Sequence, residues 1–256
     1  MTTAAALAFD AIADRFDERY GAWRSVAAQR RAVRAALLNA FPTGSRVLEV
    51  GGGTGIDAEW LIAHGRHVLL TDAAPAMVRI AQQRLGAPAT VLPAERLEEL
   101  DQPAFDGAFS NFAGLNCVTD LVPVARGLAR LVRPGGQVLL VLFGTCSPGE
   151  VLVQLARRDL RAAVRRLHHD APARLGGQHF VVRYHRPREI TNAMRPWFRL
   201  VRRLGIGVAV PPSAAEPWIS GHPHLLRAME AIDRVVSRPL APLGDHVLYH
   251  FERLTS

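Results

Sequence analysis

A chain of 256 residues with 49% hydrophobic content can bury one sizeable core with an appended cap, and none of its apolar runs is long enough to span a bilayer. Its formal charge of +8 is local, because all basic residues are arginine and residues 155 to 203 hold 13 of them against Asp159, Asp170 and Glu189, leaving +10 there and −2 elsewhere. Cys117 and Cys146 stand apart, with no CxxC pair and no histidine set at ligand spacing, which argues against a disulfide framework or a zinc site. The stretch Met1 to Ala8 lacks a charged leader, and Asp10 and Asp14 interrupt it, so the expected location is the cytoplasm.

In chain order, Ala4 to Leu38 carries Leu7, Ile12, Phe16, Trp23, Val26, Val33 and Leu37 near helical spacing, which predicts two helices with a break at Gly21. Arg46 to Val50 reads as a short buried strand ending in a glycine loop, followed by a helix from Asp57 to Ala63. The alternation repeats: His67 to Thr71 strand, Pro75 to Leu85 helix, Thr90 to Leu92 strand, Phe105 to Asn111 strand, Val122 to Leu131 helix, and Gln137 to Phe143 strand after the turn Arg133-Pro134-Gly135-Gly136. Strand, helix and strand in series imply a parallel sheet. Ser147-Pro148-Gly149-Glu150 has the residues of a capping box and opens a basic helix expected to run to Leu167. Residues 171 to 187 read as loop around a strand at His179 to Tyr184, with a short helix at Pro187 to Met194. Late strands are expected at Phe198 to Arg203, Gly207 to Val210 and Val247 to Arg253, with a helix from His224 to Val236.

The loop after the first strand is Glu49-Val50-Gly51-Gly52-Gly53-Thr54-Gly55. A dinucleotide fingerprint starting at Gly51 needs glycine where Ile56 stands, and a phosphate-binding GK[ST] loop is excluded because the chain has no lysine. A second acid, Asp72, closes the second strand 17 residues after Gly55.

Together these residues resemble class I S-adenosylmethionine (SAM) dependent methyltransferases of the small-molecule, type 11-like kind. The resemblance continues through Ala73 to Met77, through Leu92-Pro93-Ala94-Glu95-Arg96-Leu97, through Phe105 to Phe112, and through the turn at Leu131 to Gly136. Phe9 to Asp17 is similar to the family's aromatic lid segment, with Phe16 in place of the usual tyrosine and Tyr20 one turn on. The resemblance implies an α/β, Rossmann-like sheet of seven strands, mostly parallel with the last antiparallel, under a helical N-terminal lid and with a cap inserted after strand 5. The implied divisions are a lid at 1–45, a SAM-binding core at 46–145, a basic cap at 146–185, and at 186–256 the rest of the sheet with substrate-side loops. It further implies SAM as cofactor, S-adenosylhomocysteine as product and no metal. The expected cofactor-binding residues are Phe16, Tyr20, Glu49, Gly51, Gly53, Gly55, Asp72, Ala73, Met77, Ala94, Glu95, Asn111 and Phe112. Asp72 is expected to accept the ribose hydroxyls and Met77 to pack on adenine, while Pro93 replaces the family's adenine-binding aspartate.

Methyl transfer from a sulfonium requires chiefly alignment of the acceptor and exclusion of water, so the catalytic residues carry the weakest sequence signal. Phe112 to Val118 is expected to form the floor beneath the methyl, and Asn116, Tyr20 and His185 are the catalytic candidates. His168, His169, His179, His222 and His224 are further histidines of the variable half. Leu204 to Trp218 reads either as a pocket loop or as a plain connector, and Arg157, Arg161, Arg165 and Arg183 as an anion site if the cap faces the pocket. The expected activity is methyl transfer to oxygen, nitrogen or carbon of a small or carrier-bound metabolite or natural-product intermediate, anionic ones included. Alternatives are an RNA methyltransferase using the basic stretch, although no stacking series of aromatics accompanies it, and a non-catalytic SAM-binding protein that touches a membrane peripherally.

Overall fold

The computed structural model describes residues 3–112 and 114–255. Three helices, α1 (Ala4–Asp10), α2 (Ala13–Gly21) and α3 (Arg24–Ala40), precede the sheet, one more than expected, because the chain breaks at Ala11 and Ile12 as well as after Gly21. The core then alternates: β1 (Arg46–Val50), α4 (Ile56–Ala63), β2 (His67–Asp72), α5 (Pro75–Leu85), β3 (Ala89–Val91), β4 (Phe105–Ser110), α6 (Leu121–Leu131) and β5 (Val132–Phe143). The Arg-Pro-Gly-Gly segment expected as a turn is drawn into β5, with a register shift against β4 between Phe105 and Gly107.

Beyond β5 come α7 (Pro148–Ala156), α8 (Leu160–Val164), β6 (Asp170–Leu175), β7 (Gln178–Arg183), α9 (Pro187–Met194), β8 (Phe198–Ile206), α10 (Pro223–Val236) and β9 (His246–Arg253). The single basic helix expected to Leu167 is broken: α7 stops at Arg157, Arg158 takes φ +59°, and Asp159 starts α8 by accepting a hydrogen bond from the Ala162 amide at 2.9 Å. The loop expected over 171 to 187 is largely an antiparallel hairpin of β6 and β7. Gly207 to Val210 is not a strand, since Gly207 turns at φ +69° and Asp233 accepts from the Ala209 amide at 2.5 Å.

The main sheet has seven strands in the order β3-β2-β1-β4-β5-β9-β8. β9, the last in the chain, runs antiparallel between β5 and β8, so it is the reversed strand. Strand residues alternate between faces. Leu48 and Val50 pack with Val124 and Leu128 of α6 and Ile190 of α9, whereas Val47, Leu70 and Phe109 pack with Leu37 of α3, Leu61 of α4 and Val78 of α5. Helices on both faces leave the carboxyl edge of the parallel strands as the place where loops converge, and the reversal of β9 brings its first residue, His246, to that same edge.

Candidate active site

The glycine loop closes β1 and starts α4. Gly51, Gly53 and Gly55 have φ of +67°, +57° and +81°. At Gly53 that conformation aims its amide at Asp72, whose Oδ2 accepts at 2.8 Å while Oδ1 accepts from the Ala74 amide at 2.9 Å. Gly55, the residue before α4, also permits close helix packing, because a Cβ there would stand 3.2 Å from Ala81 Cβ. The ends of β1 and β2 are thereby locked together. Burial raises the Asp72 carboxyl above its ordinary range, and the Ala74 and Gly53 amides oppose that shift.

Glu49 lies inside the loop and is buried. Its carboxyl is pushed well above the usual range by burial first and by the Asp57 charge second, against Arg30, and Oε2 has no hydrogen-bond partner. Ser110 Oγ, at the end of β4 beside Gly51 and Gly114, is a second buried atom without a partner. A cleft of about 80 Å³ opens next to this loop, walled by Phe9, Gly51, Asp72, Ala73, Leu92, Ala94, Glu95 and Cys117. Burial pushes the Cys117 thiol up to about 12, so it stays protonated at neutral pH.

The N-terminal segment is fastened over this edge through its acids. Asp10 Oδ1 accepts from the Ala76 amide at 2.7 Å in the first turn of α5, and Asp17 accepts from Thr54 Oγ1 at 2.6 Å and from Arg84 Nη2 at 2.5 Å. Phe9, Phe16, Tyr20 and Trp23 form a row along it through edge-on and tilted ring contacts, with centroid spacings of 6.1, 4.8 and 5.2 Å.

Several sequence-predicted residues are placed elsewhere. Asn116, expected to face substrate, is fully buried, with Nδ2 donating to the Arg183 carbonyl at 2.6 Å and Oδ1 accepting from the Phe143 amide at 3.0 Å, so it ties the cap to β5. His185 is also buried and its Nε2 is bonded to the Val118 carbonyl at 3.0 Å, with burial lowering its proton affinity; it props the 114–118 turn from behind. Met77 is 1% exposed and packs with Ala6, Ala13 and Ala74 in the seam between the N-terminal helices and α5, off the cleft wall. Asn111 donates to Asp57 Oδ2 at 2.7 Å and accepts from the Phe112 amide at 2.8 Å. Phe16 and Tyr20 lie in the aromatic row, where Phe9 is the member that reaches the cleft. In the floor expected from 112 to 118, residue 113 lies outside the described residues, as do Met1 and Thr2 of the leader reading.

The proposed arginine quartet is dispersed. Arg165 joins Arg166 on the buried Glu150, so Glu150 is turned inward and the expected capping box has only its Ser147 half. Arg183 pairs with Asp170 at 2.8 Å and donates to the Thr119 carbonyl at 2.6 Å. Val210 and Ala215 of the Leu204 to Trp218 segment pack with Ile219, with Ala28 of α3 and with Leu226 of α10, as a connector does.

One cluster escaped the sequence reading. Phe112 follows β4 with φ +46°, a left-handed conformation that a bulky side chain adopts only when its surroundings enforce it. The Arg30 guanidinium sits 5.0 Å over its ring, and the His246 ring meets it edge-on at 5.5 Å. His246 also stacks on Phe143 at 4.8 Å. Its Nδ1 is 3.3 Å from Asp245 Oδ2, near enough to orient the ring electrostatically although outside hydrogen-bond geometry. Asp245 is held ionised by His246 and by Arg166, whose Nη2 donates to Oδ1 at 2.5 Å, while Gln29 donates to Oδ2 at 3.2 Å. The available signal was Asp245-His246 at the start of a reversed last strand, a position that only the strand order brings to the carboxyl edge. Among the described residues no group of three or more His, Cys, Asp or Glu side chains is placed to hold a metal ion.

A seven-stranded sheet of this order, with a glycine loop after β1 hydrogen-bonded to a carboxylate ending β2, defines the class I methyltransferase architecture. Residues 47–136 match the methyltransferase domain family. Residues 47–136 thus form a domain of the class I SAM-dependent methyltransferase family, which implies SAM as methyl donor. It is 32% identical over 143 residues to a malonyl-[acyl-carrier protein] O-methyltransferase of Serratia marcescens, covering 55% of this chain and 54% of that protein. It is 33% identical over 147 residues to a demethylmenaquinone methyltransferase of Mycobacterium sp. (strain KMS), covering 54% and 58%. The chain thus spans about half the length of these curated relatives. The CcbJ methyltransferase from Streptomyces caelestis shares the fold, with a TM-score of 0.61 over 95% of this chain and 96% of that one at 16% identity. The residues present suit the cofactor: two orphaned buried oxygens, Glu49 Oε2 and Ser110 Oγ, adjoin a loop whose glycines leave its backbone open.

Proposed function

We propose that the chain methylates a small or carrier-bound metabolite bearing an anionic or acidic group, using SAM held along the carboxyl edge between the Gly51–Gly55 loop and Asp72. The observation that carries this reading is the Gly53 amide to Asp72 Oδ2 hydrogen bond of 2.8 Å, which makes the loop and the carboxylate one unit on one cleft. When bound, SAM supplies an electrophilic methyl on a good leaving group. The protein's task is therefore positioning, exclusion of water and, for an O–H or C–H acceptor, removal of a proton.

In this reading Asp72 accepts ribose hydroxyls with the lone pairs its two backbone donors leave, and Ala94 and Glu95 meet the base with Leu92 as apolar wall. Glu49 supports the loop from below, and Phe112 shapes the floor. His246, its ring oriented by the Asp245 carboxylate 3.3 Å from Nδ1, accepts the proton. Asn116 and His185 hold the floor rather than take part. The lid at 1–45, the core at 46–145, the cap at 146–185 and the substrate-side remainder at 186–256 are the divisions this function would use. RNA methylation is less favoured, since arginines 165, 166 and 183 of the basic stretch are spent on internal acids.

The relatives suggest two acceptors for the test: a malonyl thioester on acyl carrier protein and reduced demethylmenaquinone. With methyl-labelled SAM we expect label to enter one of them or a related small acid, and His246→Asn to lower the rate by about 100-fold while SAM affinity stays unchanged. Label that remains wholly in SAM with every such acceptor contradicts the assignment. An undiminished rate in His246→Asn removes that residue from the chemistry.

A further inference from the structure

The face formed by α7, α8 and the turn after them is not used by the reaction. It leaves Leu152 67%, Leu160 67% and Leu167 76% exposed, with Leu155 and Val164 also in solvent. These are among the most exposed large apolar side chains described, and they fall within 16 residues of sequence. They form helical stripes: Leu152 and Leu155 are three apart on α7, and Leu160, Val164 and Leu167 recur at four and three along α8 and its extension. Between them stand Arg157, Arg158 and Arg161, all exposed, while the acids of the segment are otherwise engaged. Glu150 is buried on Arg165 and Arg166, and Asp159 caps α8.

We propose that this face is a docking surface for an anionic lipid bilayer, with the leucines entering the acyl boundary and the arginines meeting headgroup phosphates. Three observations favour that occupant. A second copy would bring like charge against like charge, since residues 148 to 168 hold five arginines against Glu150 and Asp159 alone. The exposed apolar residues are all aliphatic, with no Trp, Tyr or Phe from 148 to 168, whereas protein interfaces draw their binding energy from aromatic anchors and under-use leucine. Stripes of leucine interleaved with arginine provide the two contributions that interfacial binding needs, apolar area and attraction to anionic headgroups.

The position makes the contact useful. α7 and α8 follow the end of β5, and Arg166 anchors them to the carboxyl edge by donating to the Gly144 carbonyl at 2.9 Å and to Asp245 at 2.5 Å. A bilayer held there lies beside the edge that carries the cofactor loop and His246. The inference does not depend on methyl transfer, and its test needs no acceptor.

The full chain is sedimented with phosphatidylcholine vesicles containing about one-third phosphatidylglycerol, and with pure phosphatidylcholine vesicles, at low and high salt. Three proteins are compared: wild type, Leu152→Gln/Leu160→Gln/Leu167→Gln, and Arg157→Gln/Arg161→Gln. The substituted side chains are exposed, and far-UV circular dichroism checks that each variant is folded. We expect wild type to pellet with the anionic vesicles, the leucine variant to lose at least about tenfold in partitioning at either salt, and the arginine variant to bind at low salt about as weakly as wild type does at high salt. Wild type left in the supernatant with anionic vesicles overturns the proposal, as does a leucine variant that pellets like wild type. Leucine-dependent binding to an acidic carrier protein without any to vesicles would assign the face to a protein instead.

Discussion

Glu49 is the residue whose environment is most at odds with its charge. Its carboxyl is buried, feels the Asp57 charge and leaves one oxygen unpartnered. A folded-state pKa raised above the unfolded value means that the native protein loses stability as pH rises past the ordinary carboxyl range, because ionisation becomes easier once the chain unfolds. Glu49→Gln removes that cost and takes a second ionisable carboxyl away from the Asp57 charge. We expect the melting temperature at pH 7 to rise by about 2–4 °C, equivalent to about 1 kcal/mol, while SAM binding weakens by about tenfold. A thermal melt paired with a titration measures both. A variant less stable than wild type would mean that the ionised carboxylate is stabilised by something beyond Arg30 and the Ala58 amide.

At the scale of elements, the lid, cap and sheet are joined by buried polar contacts that no periodicity announces. Arg166 is 7% exposed and contacts Glu150 of α7, Gly144 after β5 and Asp245 before β9. Removing it leaves the buried Asp245 without its arginine and Glu150 with Arg165 alone, so Arg166→Ala should cost about 3–5 kcal/mol in denaturant unfolding, whereas Arg96→Ala, which breaks only the exposed pair with Glu99, should change little. Equal effects of the two would mean that the cluster does not hold the cap. This division also explains what was readable in the sequence. β1 to β5 and their helices were legible because strands buried on both faces read as unbroken apolar runs between glycine and proline punctuation. Gly51, Asp72, Ala94 and Glu95 were named through the family resemblance, and they line one cleft. The inward turn of Glu150 was not legible, because its pairing with Arg165 and Arg166 leaves the local residue pattern unchanged, whereas the break at Arg158 and the β6–β7 hairpin rest on local devices, the Asp159 cap and the Gly176-Gly177 turn, that the reading passed over. Asn116 and His185 carried the right residue types at the right sequence positions, yet their side chains bond to backbone across the cap.

Across the whole molecule, the reversed strand both completes the sheet and delivers the least expected part of the site. β9 contributes His246 at its beginning and His250 in the ladder beside β5 and β8. His250 bonds to Gln137 Oε1 at 2.7 Å and to Arg202 Nε at 3.2 Å, and burial first, with Arg202 second, lowers its pKa to about 4. The unfolded chain therefore binds a proton that the native sheet refuses. Stability should be full above about pH 6.5 and fall by about 2 kcal/mol as pH drops towards 4, with His185 acting in the same direction. Denaturant midpoints across that range test this, and His250→Gln, which keeps a polar group in the ladder, should flatten the slope. An unchanged slope would assign the acid sensitivity to other groups.

The most direct measurement is calorimetric titration of the purified chain with SAM, beside Asp72→Ala and with NAD as control. Binding of one SAM per chain, weakened by about 1–3 kcal/mol in Asp72→Ala, is the predicted result. Folded protein that takes up no SAM, or that binds NAD in its place, would contradict a glycine loop and a β2 carboxylate built to hold SAM.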